Sequence, residues 1–268
     1  MIQDIYPSQL INTYYDRSCT DADSVLMYRN GAVLMRDGRF PAVGECTGQR
    51  FIYLFSIDDI HYYGAPYEEI EGFAPVSLYA LRTSADKVSA FAAVTGRHLM
   101  QWYESHRFCG HCRTELVHSR KERMLECPHC GAQYFPQIAP AVIVGIVNGD
   151  RMLVTQYAGR EYTRYALIAG YTEIGETAEE TVHREVREET GLRVRNIRYY
   201  KSQPWGLSGS LLLGYFCELD GDDTITLDHT ELDLATWLDR EHLPDDDDRS
   251  SLTSEMIRVF KHAGQSGL

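Results

Sequence analysis

The chain has 268 residues, a formal net charge of −13 and an apolar content of 44%. That length accommodates two domains and a small module, and the acidic balance argues against a nucleic-acid binder that relies on a basic face. No run approaches the ~18 apolar residues of a membrane span, and Met1-Ile-Gln-Asp-Ile-Tyr6 shows no basic stretch leading into an apolar one, so a soluble, cytoplasmic protein is expected.

Residues 1–105 read as a first domain of α+β class. Val25 to Arg36 places two apolar runs around Asn30-Gly31, a hairpin signal. Phe51 to Phe55 reads as a strand. Ser84 to Tyr103 reads as a helix, carrying Val88, Phe91, Ala92, Leu99 and Trp102 on its apolar positions, with Gly96 as an interruption. Nothing here has catalytic spacing, so a structural or dimerisation role is expected.

Residues 106–136 contain Cys109-Gly-His-Cys112 and, fourteen residues on, Cys127-Pro-His-Cys130. Two thiolate pairs on tight knuckles suit one tetrahedral Zn²⁺ per chain, and a site with four sulfur ligands has no open position, so the ion is structural. His111 and His129 fall between the ligands and read as exposed. Arg113, Arg120, Lys121 and Arg123 are largely cancelled by Glu115, Glu122 and Glu126, and no aromatic platform is interleaved, which argues against autonomous nucleic-acid binding. The other cysteines, Cys19, Cys46 and Cys217, read as buried small hydrophobes in a chain without a disulfide framework.

Tyr134 to Pro140 is a stiff link into a last domain, residues 137–268. Ala141 to Val147 and Arg151 to Gln156 form a hairpin around Asn148-Gly149, with further strands at 196–200, 211–218 and 235–238. Asp245 to Asp248 reads as a solvated loop and Ser251 to His262 as a closing helix. Strands with one central and one terminal helix give an α/β sandwich.

Between Gly170 and Leu192 the sequence reads G-x5-E-x7-R-E-U-x-E-E-x-G-U, with U aliphatic. Thr177 with Glu180 is a capping box that starts a helix, and Gly191 ends it. At about 100° per residue, Ala178, Val182 and Val186 share an apolar stripe. Glu179, Glu180, His183 and Arg187 take the solvated side. Glu185 and Glu189 lie beside the stripe, with Glu188 one step round. Carboxylates at i, i+3 and i+4 turned toward the protein body repel one another. A divalent cation resolves that conflict, and all-oxygen ligands point to Mg²⁺ or Mn²⁺.

This motif resembles the Nudix box. The order zinc ribbon, Pro136-Gln-Ile-Ala-Pro140, box, then Ser202-Gln-Pro-Trp205 resembles the NADH pyrophosphatase branch of the Nudix hydrolases. The resemblance implies an α/β/α Nudix sandwich in a homodimer, and cleavage of the pyrophosphate of NADH or NAD⁺ to (reduced) NMN and AMP, with removal of NAD caps from RNA as a further activity. It implies two or three Mg²⁺ or Mn²⁺ ions on Glu185, Glu188, Glu189, Glu231 and the Ala169 carbonyl, with Glu188 or Glu189 acting on the attacking water. Arg184 is expected to steady the carboxylates. Substrate contacts are implied for Tyr171, for Gln203, Pro204, Trp205, Gly206, Leu207, Ser208, Gly209 and Ser210, and for Glu122 and Phe135. The branch pattern Ser-Gln-Pro-Trp-Pro-Phe-Pro-x-Ser is altered to Gly206-Leu207-Ser208 at its centre, which predicts a more flexible loop. That change leaves ADP-ribose or dinucleoside polyphosphates as alternative substrates. A non-catalytic nucleotide sensor is a reading of another class.

Overall fold

A computed structural model describes every residue except 49, 158–163, 228–231, 246–247 and 264–268. The chain forms two compact units, one of Ile2–Ile138 with Trp205–Gly209, the other of Met1 with Ala139–Pro204 and Ser210–Leu268.

In the first unit the hairpin expected at Asn30-Gly31 is present: Tyr28–Arg29 pairs with Ala32–Met35, and both turn residues have positive φ (50° and 73°), as a primed turn requires. The strand expected at 51–55 is Ile52–Ile57, in a four-stranded sheet. Helix α1, Lys87–Ser105, is capped by Asp86, whose side chain accepts from the Ser89 amide. The helix runs unbroken through Gly96, where an interruption was expected. A Cβ there would lie 2.3 Å from Leu26 Cδ1 and 2.6 Å from the Tyr28 hydroxyl, so this glycine serves close packing. The freed space lets the buried Tyr28 hydroxyl donate to the Ala93 carbonyl at 2.7 Å.

The ribbon is a three-stranded sheet of Val117–His118, Leu125–Glu126 and Gln133–Tyr134. The Tyr14 hydroxyl donates to Ser119 O at 3.1 Å. Arg123, counted above with the ribbon's exposed charge, instead donates to Asn12 O and lies over the Tyr14 ring.

The second unit is built on β1, Ala139–Asn148, which pairs with β2 (Arg151–Tyr157), with β3 (Ile168–Tyr171) and, in parallel, with β5 (Ser210–Leu219). The parallel register runs from Ala139↔Ser210 to Val147↔Glu218. β4 (Val194–Trp205) and β6 (Leu232–Asp239) close the two edges. Alternation along β1 divides its side chains between two cores. Val142, Val144 and Ile146 pack with Val182 and Val186 of α2 (Ala178–Thr190). Ile143 packs with Leu252, Met256 and Phe260 of α3 (Leu252–His262). The result is an α/β/α sandwich, and each fully buried aliphatic side chain contributes roughly 1.5–3 kcal/mol.

Three expectations need correcting. β4 extends to Trp205, well past the strand end expected at Tyr200, because Pro204 lies at the end of an edge strand where a missing N–H costs nothing. Asp248 is buried and accepts from the Ser250 amide at 2.8 Å, so the acidic run is not wholly solvated. Of the three scattered cysteines Cys217 is buried, while Cys19 and Cys46 are only half-buried.

Candidate active site and zinc centre

α2 begins and ends where its caps dictate. The Thr177 side chain accepts from the Glu180 amide, Glu180 accepts in return from the Thr177 amide, and Gly191 takes the left-handed conformation with φ 71°. Glu185 and Glu189 are 8% and 3% exposed, whereas Glu179, Glu180, His183 and Arg187 face solvent. The helical wheel therefore separates the two sets of charges as expected.

Two features hold Glu185. Its carboxylate lies against Gly170 of β3, so closely that a Cβ at Gly170 would fall 2.0 Å from Cδ and Oε1 and 2.4 Å from Oε2. Arg184 then donates from Nη1 to Glu185 at 2.7 Å and to Glu188 at 3.0 Å. The same guanidinium donates from Nε to Glu176 at 2.7 Å and from Nη2 to the Tyr171 carbonyl at 2.8 Å. One planar fork thus ties the helix, the preceding loop and the end of β3 together. Bonded first to Arg184 and then to the Glu173 amide, Glu176 is held far below the usual carboxylate range, at about 2. Glu176 pushes the Arg184 pKa upward in turn.

The sequence reading assigned no role to Glu176 or to the contact between Glu185 and Gly170. The eight-residue step from Glu176 to Arg184 sits inside the motif, but only the loop geometry shows that the two meet. Ala169 precedes Gly170 on β3, opposite Ile143 of β1. Glu231 lies outside the described residues. Two buried carboxylates one helical turn apart and a third beside them offer only oxygen ligands, the kind a hard divalent cation takes, although the three do not converge as the cysteine sulfurs do.

The cysteine quartet is tighter. All four sulfurs lie within 4.8 Å of one another, and among the described residues this is the one group of three or more such ligands that converges. The separations of 3.6 Å from Cys109 to Cys130, 3.4 Å from Cys112 to Cys127 and 3.6 Å from Cys112 to Cys130 approach the ~3.8 Å edge of a tetrahedron with Zn–S bonds of ~2.3 Å. The Tyr134 hydroxyl, 3.3 Å from Cys109, is the main influence lowering that thiol's pKa, and the Cys130 amide does the same for Cys127. Both shifts favour the thiolates that zinc requires, whereas Cys130, lowered by the Ala132 amide but raised more by the sulfurs around it, stands above the usual thiol range. His111 and His129 are exposed, and the residues fit a structural Zn²⁺.

The remaining predicted contacts fall in different places. Tyr171 is exposed, with the Ser210 hydroxyl 3.4 Å from its own. Gln203 is fully buried; its amide donates to the Ser250 carbonyl at 2.8 Å and accepts from the Leu252 amide at 2.7 Å, which secures the start of α3. Pro204 is exposed at the end of β4. In the first unit, Trp205 and Leu207 pack on the core that contains α1, and the Arg82 guanidinium lies 5.8 Å from the Trp205 ring centre. Gly206 approaches Val94 so closely that a Cβ would come within 2.4 Å of its carbonyl oxygen. The altered centre of the loop is therefore a turn with Gly206 and Leu207 packed against the core. Ser208 is exposed, and Gly209 (φ 72°) approaches His98. Glu122 and Phe135 are exposed.

Comparison with known proteins adds five findings. Residues 137–260 match the NUDIX domain family and residues 104–135 the NADH pyrophosphatase zinc ribbon domain. The chain is 39% identical over 177 residues to the NAD-capped RNA hydrolase NudC of Erwinia tasmaniensis, across 65% of this chain and 67% of that protein. It is 42% identical over 149 residues to the protein of the same name from Pectobacterium atrosepticum, across 56% of this chain and only 57% of the relative. A solved NUDIX hydrolase from Nitrosomonas europaea superposes with a TM-score of 0.49 at 20% identity, covering 58% of this chain and 90% of that one.

Proposed function

We infer the activity from a premise the matches establish: this chain belongs to the Nudix hydrolase family, with the zinc ribbon of NADH pyrophosphatases. We propose that it hydrolyses the pyrophosphate bond of NADH or NAD⁺ to (reduced) NMN and AMP, and that it removes NAD caps from RNA 5′ ends. The observation that carries this is the carboxylate cradle: Glu185 seated on Gly170, Glu189 buried one turn further on, and Arg184 bonded to Glu185 and Glu188.

In this reading Glu185, Glu188 and Glu189, with the Ala169 carbonyl and Glu231, hold two or three Mg²⁺ or Mn²⁺ ions. When bound, such ions neutralise charge on the pyrophosphate and make water a stronger nucleophile. Glu188 or Glu189 orients that water and takes its proton. The water oxygen bonds to phosphorus in line with the bridging oxygen, the bridging P–O bond breaks, and a phosphate monoester leaves. Arg184 positions the carboxylates through its fork. Tyr171, Trp205 and the exposed Ser208, Glu122 and Phe135 are proposed substrate contacts, whereas the bonds of Gln203 give it a structural role. The protein is proposed to act in the cytoplasm as a homodimer.

The replaced Pro-Phe-Pro centre supports a second reading, the same chemistry with ADP-ribose or dinucleoside polyphosphates preferred. Chromatographic product analysis with NADH, NAD⁺, ADP-ribose and diadenosine polyphosphates, under Mg²⁺ or Mn²⁺, separates the two. Fastest release of AMP and reduced NMN from NADH is expected, with Glu189→Gln slower by several orders of magnitude. A Glu189→Gln rate near wild type would refute the assignment. No cleavage of any substrate by folded, zinc-loaded protein would favour a nucleotide sensor.

A further inference from the structure

The first unit contains a cavity of about 130 Å³ made without any residue of the box. Tyr15 and Tyr53 form one wall, with ring centres 4.9 Å apart and planes 32° from parallel. Arg17 and Arg50 supply two guanidinium groups to the lining; Arg17 Nη2 lies 3.7 Å from the buried Asp23 carboxylate, while its Nε is buried with no hydrogen-bond partner. His118 of the ribbon completes it, backed by Tyr103 in a stack with 5.0 Å between ring centres. Burial first, and the Arg50 charge second, lower the His118 pKa. Asp16 offers one carboxylate at the rim.

Each part recognises a different chemical group. A tyrosine face takes a planar heteroaromatic ring. Paired guanidinium groups take a phosphate. The Asp16 carboxylate accepts from a ribose hydroxyl or an exocyclic amine. Two guanidinium groups gather at an aromatic wall, with Asp16 at the rim and Asp23 beside Arg17 as the facing carboxylates. We propose that this cavity binds a nucleoside 5′-monophosphate unit, its base against the Tyr15–Tyr53 wall and its phosphate between Arg17 and Arg50. The aromatic platform missing from the ribbon sequence is thereby supplied by residues far from it in the chain.

The test is photolabelling of the full, zinc-loaded chain with 8-azido-AMP, followed by peptide mapping, in wild type and in Arg17→Ala/Arg50→Ala. Adducts are expected on the peptides carrying Tyr14 to Arg17 or Arg50 to Tyr53. The double variant should need at least tenfold more probe for the same labelling, while its NADH hydrolysis rate, which reports folding, stays at the wild-type level. AMP should compete; competition by a 5′-phosphorylated trinucleotide at lower concentration than AMP would identify an RNA end as the source of the same unit. Adducts confined to other peptides, unchanged labelling of the double variant, or equal competition by inorganic phosphate would overturn the proposal. Should the double variant fail to fold, Tyr15→Ala is read by the same criteria.

Discussion

Replacing Gly170 by alanine tests the cradle directly. Gly170 is absent from the positions with positive φ, so an alanine backbone fits and any effect comes from the added Cβ. That atom would lie 2.0 Å from Glu185 Oε1, whereas ordinary contact begins at 3.4 Å, so the carboxylate must retreat by about 1.4 Å (3.4 less 2.0). Retreat breaks the 2.7 Å bond to Arg184. Overpacking of this kind costs about 1–3 kcal/mol of stability, and a 1 Å misplacement at a reacting centre costs on the order of 100-fold in rate. Gly170→Ala should therefore lose about 100-fold in kcat on NADH with a modest fall in urea midpoint. In a Glu185→Gln background the same change should cost much less, because the two perturbations share one contact. A Gly170→Ala enzyme within twofold of wild type, or full additivity in the double variant, would refute the reasoning.

Gln203→Ala removes two buried hydrogen bonds at the start of α3 and should destabilise by about 2–4 kcal/mol in urea unfolding, with KM for NADH little changed. Glu176 is a carboxylate of depressed pKa, so its contribution to stability is fully present above the ordinary value near 4.5 and is lost as pH falls through about 2. The unfolding-midpoint difference between wild type and Glu176→Gln should accordingly be constant from neutral pH to about 4.5 and shrink below it; a difference already gone at pH 5 would contradict the Arg184 clamp. Cys127→Ser, or chelation, should release close to one zinc per chain in a colorimetric assay and lower the thermal midpoint, whereas His129→Ala should release none.

Much of the second unit was legible because its signals are local. The capping box and terminal glycine set both ends of α2, and its apolar stripe separated buried from solvated glutamates. The cysteine spacing likewise foretold a convergent quartet. What could not be read were contacts closed by long loops. Gly96 read as a helix breaker because Leu26 and Tyr28, which need its missing Cβ, lie some seventy residues earlier. Arg123 read as ribbon surface charge because its partners, Asn12 and Tyr14, lie about 110 residues earlier in the chain. The bonds of Gln203 to Ser250 and Leu252 were not legible either, because those partners lie nearly fifty residues further on. Asp248 misled for a similar reason: a run of aspartates looks solvated until one of them caps a turn.

The assignment of Trp205–Gly209 to the first unit has a consequence for the order of assembly on the ribosome. With Ile2–Ile138 already synthesised, that unit still lacks the turn that packs on its helix, and it cannot be completed until translation has passed residue 209. The central strand waits as well, since Ala139–Val147 finds its parallel partner only when Ser210–Glu218 emerges. Parallel pairing across such a separation is slow because the loop must close before any ladder bond forms. During that interval the apolar run Ala141–Val147 is a nascent segment in need of protection from aggregation, and the second unit finishes later than the first, because Leu252, Met256 and Phe260 of α3 belong to its core.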